Sequence, residues 1–182
     1  LENRGKAAWL VDSPSPPTAA MRAAASVAFG AAPGRGAGFG LSGFLAPSQM
    51  PYLPVPRANV FAYTSSGVTL KLQGSDAADA MMLHVPARAR LTAGSVNGVR
   101  FAASGDTMIV CGTPDCARAQ IVLDGGFHGV WLDLAEIRRG LPPKGDALMK
   151  ARPEWAVPSG AGDRTVVSTM VELFRPRPAT VK

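Results

Sequence analysis

The amino-acid sequence predicts a mainly β fold, an antiparallel β-sandwich of the jelly-roll kind with one or two short helices. Glycine and proline supply 20 and 16 of the 182 residues, which suits many turns between short strands better than long helices. From residue 59 onward, runs rich in β-branched residues are bounded by Gly, Pro, Asn, Asp and Ser. Their spacing leaves no room for crossover helices, so we expect antiparallel pairing within a single domain, residues 1–182.

Before residue 59 the sequence predicts a strand, a helix and a long loop. The strand is AAWLV (residues 7–11), and three prolines within residues 12–17 prevent further ladder pairing. Thr18 is suited to cap the alanine-rich helix TAAMRAAASVAF. A Gly/Pro-rich loop is expected at about residues 30–57, part of it extended or poorly ordered.

The middle of the chain predicts the strands of the sandwich. Val68, Leu70 and Leu72 alternate with polar residues, which is the period of a half-exposed strand. The Asn97-Gly98 pair predicts a type I′ hairpin, and Ser104-Gly105-Asp106 predicts a second turn. The predicted strands are NVFAY, GVTLKLQG, AMMLHVP, ARLTAGSV, GVRFAAS, DTMIVCG and AQIVLD.

The C-terminal part predicts two helical segments and a closing strand. DLAEIRRGLPP is predicted as a short helix, because Asp133 at its start and Arg138 and Arg139 in its last turn suit the helix dipole. GDALMKARPEW predicts one more helical turn. RTVVSTMVELF (residues 164–174) predicts the closing strand, and the tail at about 175–182 is expected to fray.

The stretch GFGLSG (residues 38–43) has the glycine spacing of a dinucleotide-binding loop. That loop requires a preceding strand, a helix that begins at the third glycine, and an acidic residue about 20 positions further on. Here AAPGRGA precedes the glycines, four prolines occur in the following FLAPSQMPYLPVP, and no acid occurs between Asp12 and Asp76. The sequence therefore predicts a loop without a nucleotide cofactor.

The two histidines and the serines do not form a recognisable catalytic pattern. His84 lies in a predicted strand and His128 in a predicted turn, and neither has a second ligand at the spacing of a zinc site. In GLSGF the second glycine follows the serine directly, one place too early for the G-x-S-x-G of a nucleophile elbow. We therefore predict no catalytic, cofactor-binding or metal-binding residue in this chain.

The two cysteines, Cys111 and Cys116, enclose GTPD and leave three states open: a disulfide, a free buried pair, or half of a metal site. The flanking runs TMIV and AQIVL predict a hairpin across which the two sulfurs would come within bonding reach. A metal site would lack its second pair of ligands. We favour the disulfide, which would imply an oxidising, extracytoplasmic compartment.

The net charge of +6 comes from scattered basic residues rather than from a block. Few aromatics lie near them, so we predict no nucleic-acid partner. We expect four of these arginines to form solvated surface. The alternative is that they contact lipid head groups of a membrane surface or acidic surfaces of a partner. The residues concerned are Arg88, Arg90, Arg138 and Arg139.

Three aromatic residues, Tyr52, Trp131 and Trp155, would supply a platform if the domain bound a glycan or a peptide. The favoured alternative places Trp9, Trp131 and Trp155 in the core. No run of about 18 apolar residues is present to form a membrane-spanning helix. The N-terminal LENRGKAAWLVDS lacks an initiator Met and a signal sequence, so we expect a mature protein or a piece of a longer one.

Three segments carry a family resemblance: GKAAWLV, VPARARLTAGSVNGVRF and ARPEWAVPSGAGDRTVV. They resemble the C-terminal extracytoplasmic β-rich domain of membrane-anchored di-zinc, aminopeptidase-like metallopeptidases, which are similar to vacuolar and endoplasmic-reticulum membrane metallopeptidases. In that family a catalytic domain comes first, followed by transmembrane helices and then the β-rich domain. The zinc is expected in the catalytic domain of the parent protein.

The resemblance implies a non-catalytic accessory domain on the periplasmic side, which packs on the catalytic domain or shapes access to it. Its partners would be the catalytic and transmembrane parts of the same parent protein. The family's zinc ligands include a His-x-Asp pair and a Glu-Glu pair, and this chain has neither, so no catalytic residue carries over. The alternative is a free-standing extracytoplasmic glycan- or peptide-binding module.

Overall fold

A computed structural model describes residues 7–11, 16–26, 30–31, 44–48, 53–127, 129–142, 145–154 and 163–174. The chain divides into two compact units. The first contains Leu1–Leu53 and Arg139–Thr165, and the second contains Pro54–Arg138 and Val166–Lys182. Among the described residues, no helix is long and apolar enough to cross a membrane. The predicted GFGLSG loop and the tail at 175–182 lie outside the described ranges.

Within the described ranges, the first unit contains a small sheet and two short helices. The sheet has the order β1-β3-β2, formed by β1 (Ala7–Val11), β2 (Gly30–Ala31) and β3 (Phe44–Ser48). The predicted AAWLV strand is therefore confirmed, and β3 is an extended part of the predicted 30–57 loop. The helices are α1 (Ala19–Ala25) and α2 (Asp146–Lys150), and α2 confirms the predicted helical turn.

The start of α1 follows the sequence prediction, and its end comes earlier than predicted. The Oγ1 atom of Thr18 accepts a hydrogen bond from the N–H of Met21 at 3.3 Å, which confirms the cap. At Ser26 the chain turns into the left-handed region, with a φ of 57°. The N–H of Ser26 then bonds to the carbonyl of Ala23 at 3.0 Å, which ends the helix.

The second unit carries two antiparallel sheets, and this confirms the predicted β-sandwich. The five-stranded sheet has the order β4-β5-β10-β7-β8, with β4 (Arg57–Tyr63), β5 (Gly67–Gln73), β7 (Ala93–Val96), β8 (Val99–Ala102) and β10 (Gln120–Asp124). The four-stranded sheet has the order β12-β11-β6-β9, with β6 (Ala78–Val85), β9 (Thr107–Cys111), β11 (Val130–Arg139) and β12 (Arg164–Leu173).

Alternating side chains build the core of the second unit. Val68, Leu70 and Leu72 are buried, and Lys71 and Gln73 between and after them are exposed, as the period-2 pattern predicts. Each fully buried Leu or Val contributes about 1.5–3 kcal/mol relative to an exposed one. The main core residues are Val68, Leu70, Leu72, Met81, Leu83, Val85, Leu91, Ile121, Leu123, Leu132, Leu134 and Leu173.

Two local features of the five-stranded sheet follow from single residues. Asn97 and Gly98 have φ values of 49° and 84°, which confirms the predicted type I′ turn between β7 and β8. In β4, Val60 pairs with Leu70 but Ala62 pairs with Thr69, so the residue between them is bulged out of the ladder.

The helix predicted from Asp133 is wrong, because this segment belongs to β11. Leu134 pairs with Leu83 of β6, and Glu136 pairs with Met81. All four residues from Leu134 to Ile137 are buried. A surface helix would leave part of such a run exposed, whereas a strand covered on both faces buries every residue. Burial on both sides therefore overrode the charge pattern that favoured a helix.

The hairpin predicted around the cysteines is also wrong, although the predicted disulfide is confirmed. Cys111 and Cys116 are bonded, with a Cα–Cα distance of 5.5 Å. The preceding strand β9 pairs with β6, and the following strand β10 lies between β5 and β7 in the other sheet. A 3₁₀ helix, Pro114–Arg118, connects the two sheets. The disulfide therefore closes a connection between sheets rather than a hairpin.

Candidate functional site

Three connections at one end of the sandwich surround a cleft of about 310 Å³, which we call the loop cleft. They are the β4–β5 turn, the β6–β7 connection and the β10–β11 turn, all within the second unit. Its side-chain walls come from Tyr63, Thr64, Ser65, Arg88, Arg90 and Phe127. Loops held at one end of a rigid sandwich are a common place for binding sites.

Backbone hydrogen bonds tie these three connections to one another. The N–H of Gly125 donates to the carbonyl of Ser66 at 2.7 Å, which joins the β10–β11 turn to the β4–β5 turn. The N–H of Gly126 donates to the carbonyl of Ala89 at 2.7 Å, which joins the same turn to the β6–β7 connection. The walls of the loop cleft are therefore fixed by main-chain contacts.

Two glycines permit this close approach. A Cβ atom on Gly67 would lie 2.2 Å from the carbonyl oxygen of Leu123. A Cβ atom on Gly125 would lie 2.8 Å from the carbonyl oxygen of Ala89. Both obstacles are backbone atoms, which cannot turn aside as the end of a side chain can. The glycines at 67 and 125 are therefore required for the shape of the cleft.

Arg88 and Arg90 give the loop cleft its charge. A 3₁₀ helix, Ala87–Ala89, ends where Arg90 enters the left-handed region with a φ of 48°, and both guanidinium-bearing residues are exposed. Neither side chain has an ion-pair or hydrogen-bond partner in the part of the chain that the structure describes. The described lining contains no acidic residue. The cleft is therefore an electropositive site with unused hydrogen-bond donors.

Tyr63 lines the same cleft, but its hydroxyl does not reach the cleft surface. Its hydroxyl oxygen is buried and has no hydrogen-bond partner among the described residues. Burial raises the pKa of Tyr63 above its usual range, so the phenol keeps its proton at neutral pH. A buried hydroxyl without a partner is uncommon in folded proteins and calls for an explanation.

A second polar cluster, formed by His84, Asp106 and Asp133, lies on the four-stranded sheet. His84 lies on β6 opposite Asp133 on β11, and its Nδ1 atom lies 3.0 Å from Oδ2 of Asp133. Its Nε2 atom lies 3.0 Å from Oδ1 of Asp106, which precedes β9. Since both ring nitrogens face carboxylates, neither is available to accept a proton from a serine or cysteine nucleophile. In the described residues, no group of three or more His, Cys, Asp or Glu side chains is placed to hold a metal ion.

A third cluster surrounds the carboxylate of Glu136, which is fully buried. The N–H of Ser75 donates to Oε2 at 2.8 Å, and the Ser75 hydroxyl and the Arg138 Nε donate to Oε1. Burial by itself would raise the pKa of Glu136, but the bonds from Ser75 and the charge and bond of Arg138 together lower it. The Nη2 atom of Arg138 also donates to the carbonyl of Pro54 at 2.8 Å. This carboxylate is saturated with donors and therefore holds structure together.

The residues predicted for a site fall in different places. Cys111 and Cys116 form the disulfide, and Arg138 is engaged with Glu136 rather than solvated. Trp131 on β11 is 40% exposed, which the core alternative does not predict for it. Tyr52, Trp155 and His128 lie outside the described residues, so the aromatic platform stays a prediction.

Sequence reasoning missed Tyr63 and the role of Arg88 and Arg90 as neighbours in a cleft. These residues come from connections that are far apart in the sequence, so no local pattern marks them. Comparisons with protein-family models, curated proteins and solved structures find no match to this chain.

Proposed function

We propose that this chain is a non-catalytic, extracytoplasmic accessory domain of a membrane-bound, zinc-dependent, aminopeptidase-like peptidase. It would pack on the catalytic domain or shape access to it. The observation that carries the proposal is the Cys111–Cys116 disulfide in a β-sandwich, since a bond of this kind persists in oxidising compartments. The family itself is suggested by the three resembling segments and not by the geometry.

Those three segments coincide with structural elements where the chain is described. GKAAWLV contains β1, and VPARARLTAGSVNGVRF runs from the end of β6 through the β7–β8 hairpin. ARPEWAVPSGAGDRTVV leads into β12. In this last segment Arg152 and Asp163 form a two-bond ion pair, with N–O distances of 3.0 and 2.9 Å, which ties the two ends of the connection together.

The charged side chains of the described polar clusters are hydrogen-bonded to other protein groups, which supports a non-catalytic role. Both ring nitrogens of His84 face carboxylates, and the carboxylate of Glu136 has donors on both oxygens. Charged groups that are fully engaged with protein partners stabilise a fold, whereas catalytic groups need a free position toward substrate. The chain alone should therefore not hydrolyse peptides when zinc is supplied.

The reading frame upstream of the codon for Leu1 tests the proposal directly. We expect it to encode transmembrane helices preceded by a domain with the His-x-Asp and Glu-Glu motifs. The chain, tagged and co-expressed with the remainder of that parent protein, should co-purify with it. An upstream frame without such a domain would refute the proposal.

The disulfide gives an independent test of compartment. In cells that express the full-length parent, trapping of free thiols should find Cys111 and Cys116 oxidised, and a cytoplasmically retained version should have both thiols free. Equal labelling of the two versions would contradict an extracytoplasmic location.

A free-standing glycan- or peptide-binding module is the second candidate function. The 40% exposure of Trp131 favours it, because exposed indoles commonly stack on sugar rings or peptide side chains. Saturable quenching of tryptophan fluorescence by a glycan or peptide, lost in Trp131→Ala, would support this candidate. Persistence of the quenching in Trp131→Ala would exclude a Trp131 platform.

A further inference from the structure

We propose that the loop cleft binds the phosphate group of a small phosphate ester or of a phospholipid head group, through the guanidinium groups of Arg88 and Arg90 and the hydroxyls of Thr64 and Ser65. This site is distinct from the packing role proposed above and does not depend on it.

The charge of the cleft selects an anion. Arg88 and Arg90 lie two positions apart around the end of one 3₁₀ helix, and neither is neutralised by a described carboxylate. A guanidinium presents planar donors that match the oxygens of phosphate, and two of them can share one group. A phosphate monoester carries about −1.5 to −2 charges near pH 7, which complements the two positive charges.

The hydroxyl of Tyr63 does not take part in the site. Its oxygen is buried, so an oxygen of a ligand in the cleft could not come within hydrogen-bond distance of it. The neighbouring Thr64 and Ser65 are exposed and line the cleft. Their hydroxyls can donate to an anion held by the two arginines.

The number of donors favours phosphate over carboxylate. Two guanidinium groups and the hydroxyls of Thr64 and Ser65 are available in the cleft. A carboxylate has two oxygens, whereas a phosphate monoester offers three terminal oxygens to donors that approach from several sides. The volume of about 310 Å³ exceeds that of the phosphate alone and leaves room for a short organic portion of the ligand.

The cleft is preformed, so binding would require little ordering of the main chain. The bonds from Gly125 to Ser66 and from Gly126 to Ala89 already hold its three connections together. Only exposed side chains, chiefly the two arginines, would lose rotamer freedom on binding, which keeps the entropic cost small.

Calorimetric titration of the folded chain with inorganic phosphate and with glycerol 3-phosphate tests the proposal. We expect saturable binding of both, weakened about tenfold or more in the double variant Arg88→Gln/Arg90→Gln. Arg100→Gln, which removes an exposed arginine of β8 outside the cleft, is the charge control and should bind as the parent does. No saturable binding, or an equal loss in the control, would overturn the proposal.

The double variant Thr64→Ala/Ser65→Ala tests the two hydroxyls, and phosphate binding should weaken several-fold in it. Tyr63→Phe is the matched control, because its hydroxyl is buried and its removal should leave phosphate affinity unchanged. Unchanged affinity in the folded Thr64→Ala/Ser65→Ala protein, or an equal loss in Tyr63→Phe, would refute the geometry proposed. Acetate that binds as tightly as phosphate would refute the choice of phosphate.

Vesicles distinguish the two sources of the group. Sedimentation with phosphatidic acid vesicles but not with phosphatidylcholine vesicles, reversed by free glycerol 3-phosphate, would assign the site to a lipid head group. Binding of the soluble ester without vesicle binding would assign it to a soluble ligand. Vesicle binding that survives the double arginine variant would show that another surface contacts the membrane, and would refute a role for the cleft in it.

Discussion

The Nδ1 atom of His84 lies 3.0 Å from Oδ2 of Asp133, directly across the pair of strands β6 and β11. The other ring nitrogen lies 3.0 Å from Oδ1 of Asp106. Two ionised carboxylates can both accept from one imidazole only when both ring nitrogens carry hydrogen. Burial by itself would lower the pKa of His84, but the hydrogen bonds and charges of Asp133 and Asp106 raise it above its ordinary value.

We expect the stability of the protein to depend on pH through His84. A raised pKa in the folded state means that the stabilisation is fully present below the ordinary value of 6.5 and is lost as pH rises through the folded pKa. Urea unfolding of the parent and of His84→Gln, measured across that range, checks this. The pH-dependent difference between them should disappear at alkaline pH, and a difference that grows with pH would contradict it.

The two carboxylates beside His84 should contribute unequally. The side chain of Asp133 is 30% exposed and that of Asp106 is 69% exposed, so solvent screens the second pair more strongly. Asp133→Asn should lower the free energy of unfolding by about 1.5–3 kcal/mol at mildly acidic pH. Asp106→Asn should lower it by about 1 kcal/mol or less. Equal losses in urea unfolding would show that screening does not separate them.

The buried carboxylate of Glu136 should be among the most sensitive positions of the sandwich. Glu136→Gln removes the charge that Arg138 faces and turns an amide donor toward Ser75, so the free energy of unfolding should fall by about 3–5 kcal/mol. The exposed Glu154→Gln is the matched control, expected to change it by about 0.5 kcal/mol or less. Urea titration measures both.

The carboxylate of Glu136 should also make the free energy of unfolding fall at acid pH. Because its pKa is lowered in the folded state, its contribution is present above the ordinary value of 4.5 and is lost as pH falls through the folded pKa. The acid loss of stability should therefore be smaller in Glu136→Gln than in the parent. If both proteins lost the same free energy of unfolding at acid pH, other carboxylates would be responsible for the loss.

Reduction of the disulfide should weaken the protein without unfolding it. Cys111 and Cys116 are five positions apart, and closing so short a loop restricts the unfolded chain by about 2 kcal/mol in the chain-entropy account. We expect reductant to lower the urea midpoint of the parent accordingly. The double variant Cys111→Ser/Cys116→Ala should show no response to reductant, and a response in it would point to an effect elsewhere.

Substitution of Gly67 should damage both the sandwich and the loop cleft. Its new Cβ would meet the carbonyl oxygen of Leu123 on β10, so Gly67→Ala should lower the free energy of unfolding by about 2–3 kcal/mol. Gly112→Ala is the control, because no atom lies within 4 Å of a Cβ built there and its backbone is not left-handed. That change should be neutral or stabilise by about 1 kcal/mol at most. Equal effects would mean that the close approach at Gly67 relaxes freely.

The strand pattern was predictable from the sequence because it depends on neighbouring residues. The alternation of apolar and polar residues around Leu70 predicts a strand, and the Asn97-Gly98 pair predicts a tight turn. Both predictions are confirmed. The segment from Asp133 was misassigned because its acid-first, base-last order matches a helix. The segment is a strand because it pairs with β6, which lies about fifty positions earlier in the chain. Leu134 pairs there with Leu83, and Glu136 pairs with Met81.

The candidate site was far less predictable. The disulfide follows from two cysteines, but the change of sheet between them depends on which strands β9 and β10 join, which no local pattern encodes. Tyr63 and Arg88 meet in one cleft because separate turns are joined by main-chain bonds. His84 likewise finds Asp106 and Asp133 at separations of 22 and 49 positions.

The interrupted ladder of β4 bears on how a strand from a second molecule could pair with this edge of the sheet. Phe61, the residue displaced from the pairing with β5, is 77% exposed on a strand that forms one border of the five-stranded sheet. An incoming strand needs an unbroken row of main-chain donors and acceptors to dock there. The displaced phenylalanine breaks that row, so we expect a second molecule to add only a few bonds before it loses register. The bulge in β4 should therefore disfavour the growth of fibres from this edge of the sheet.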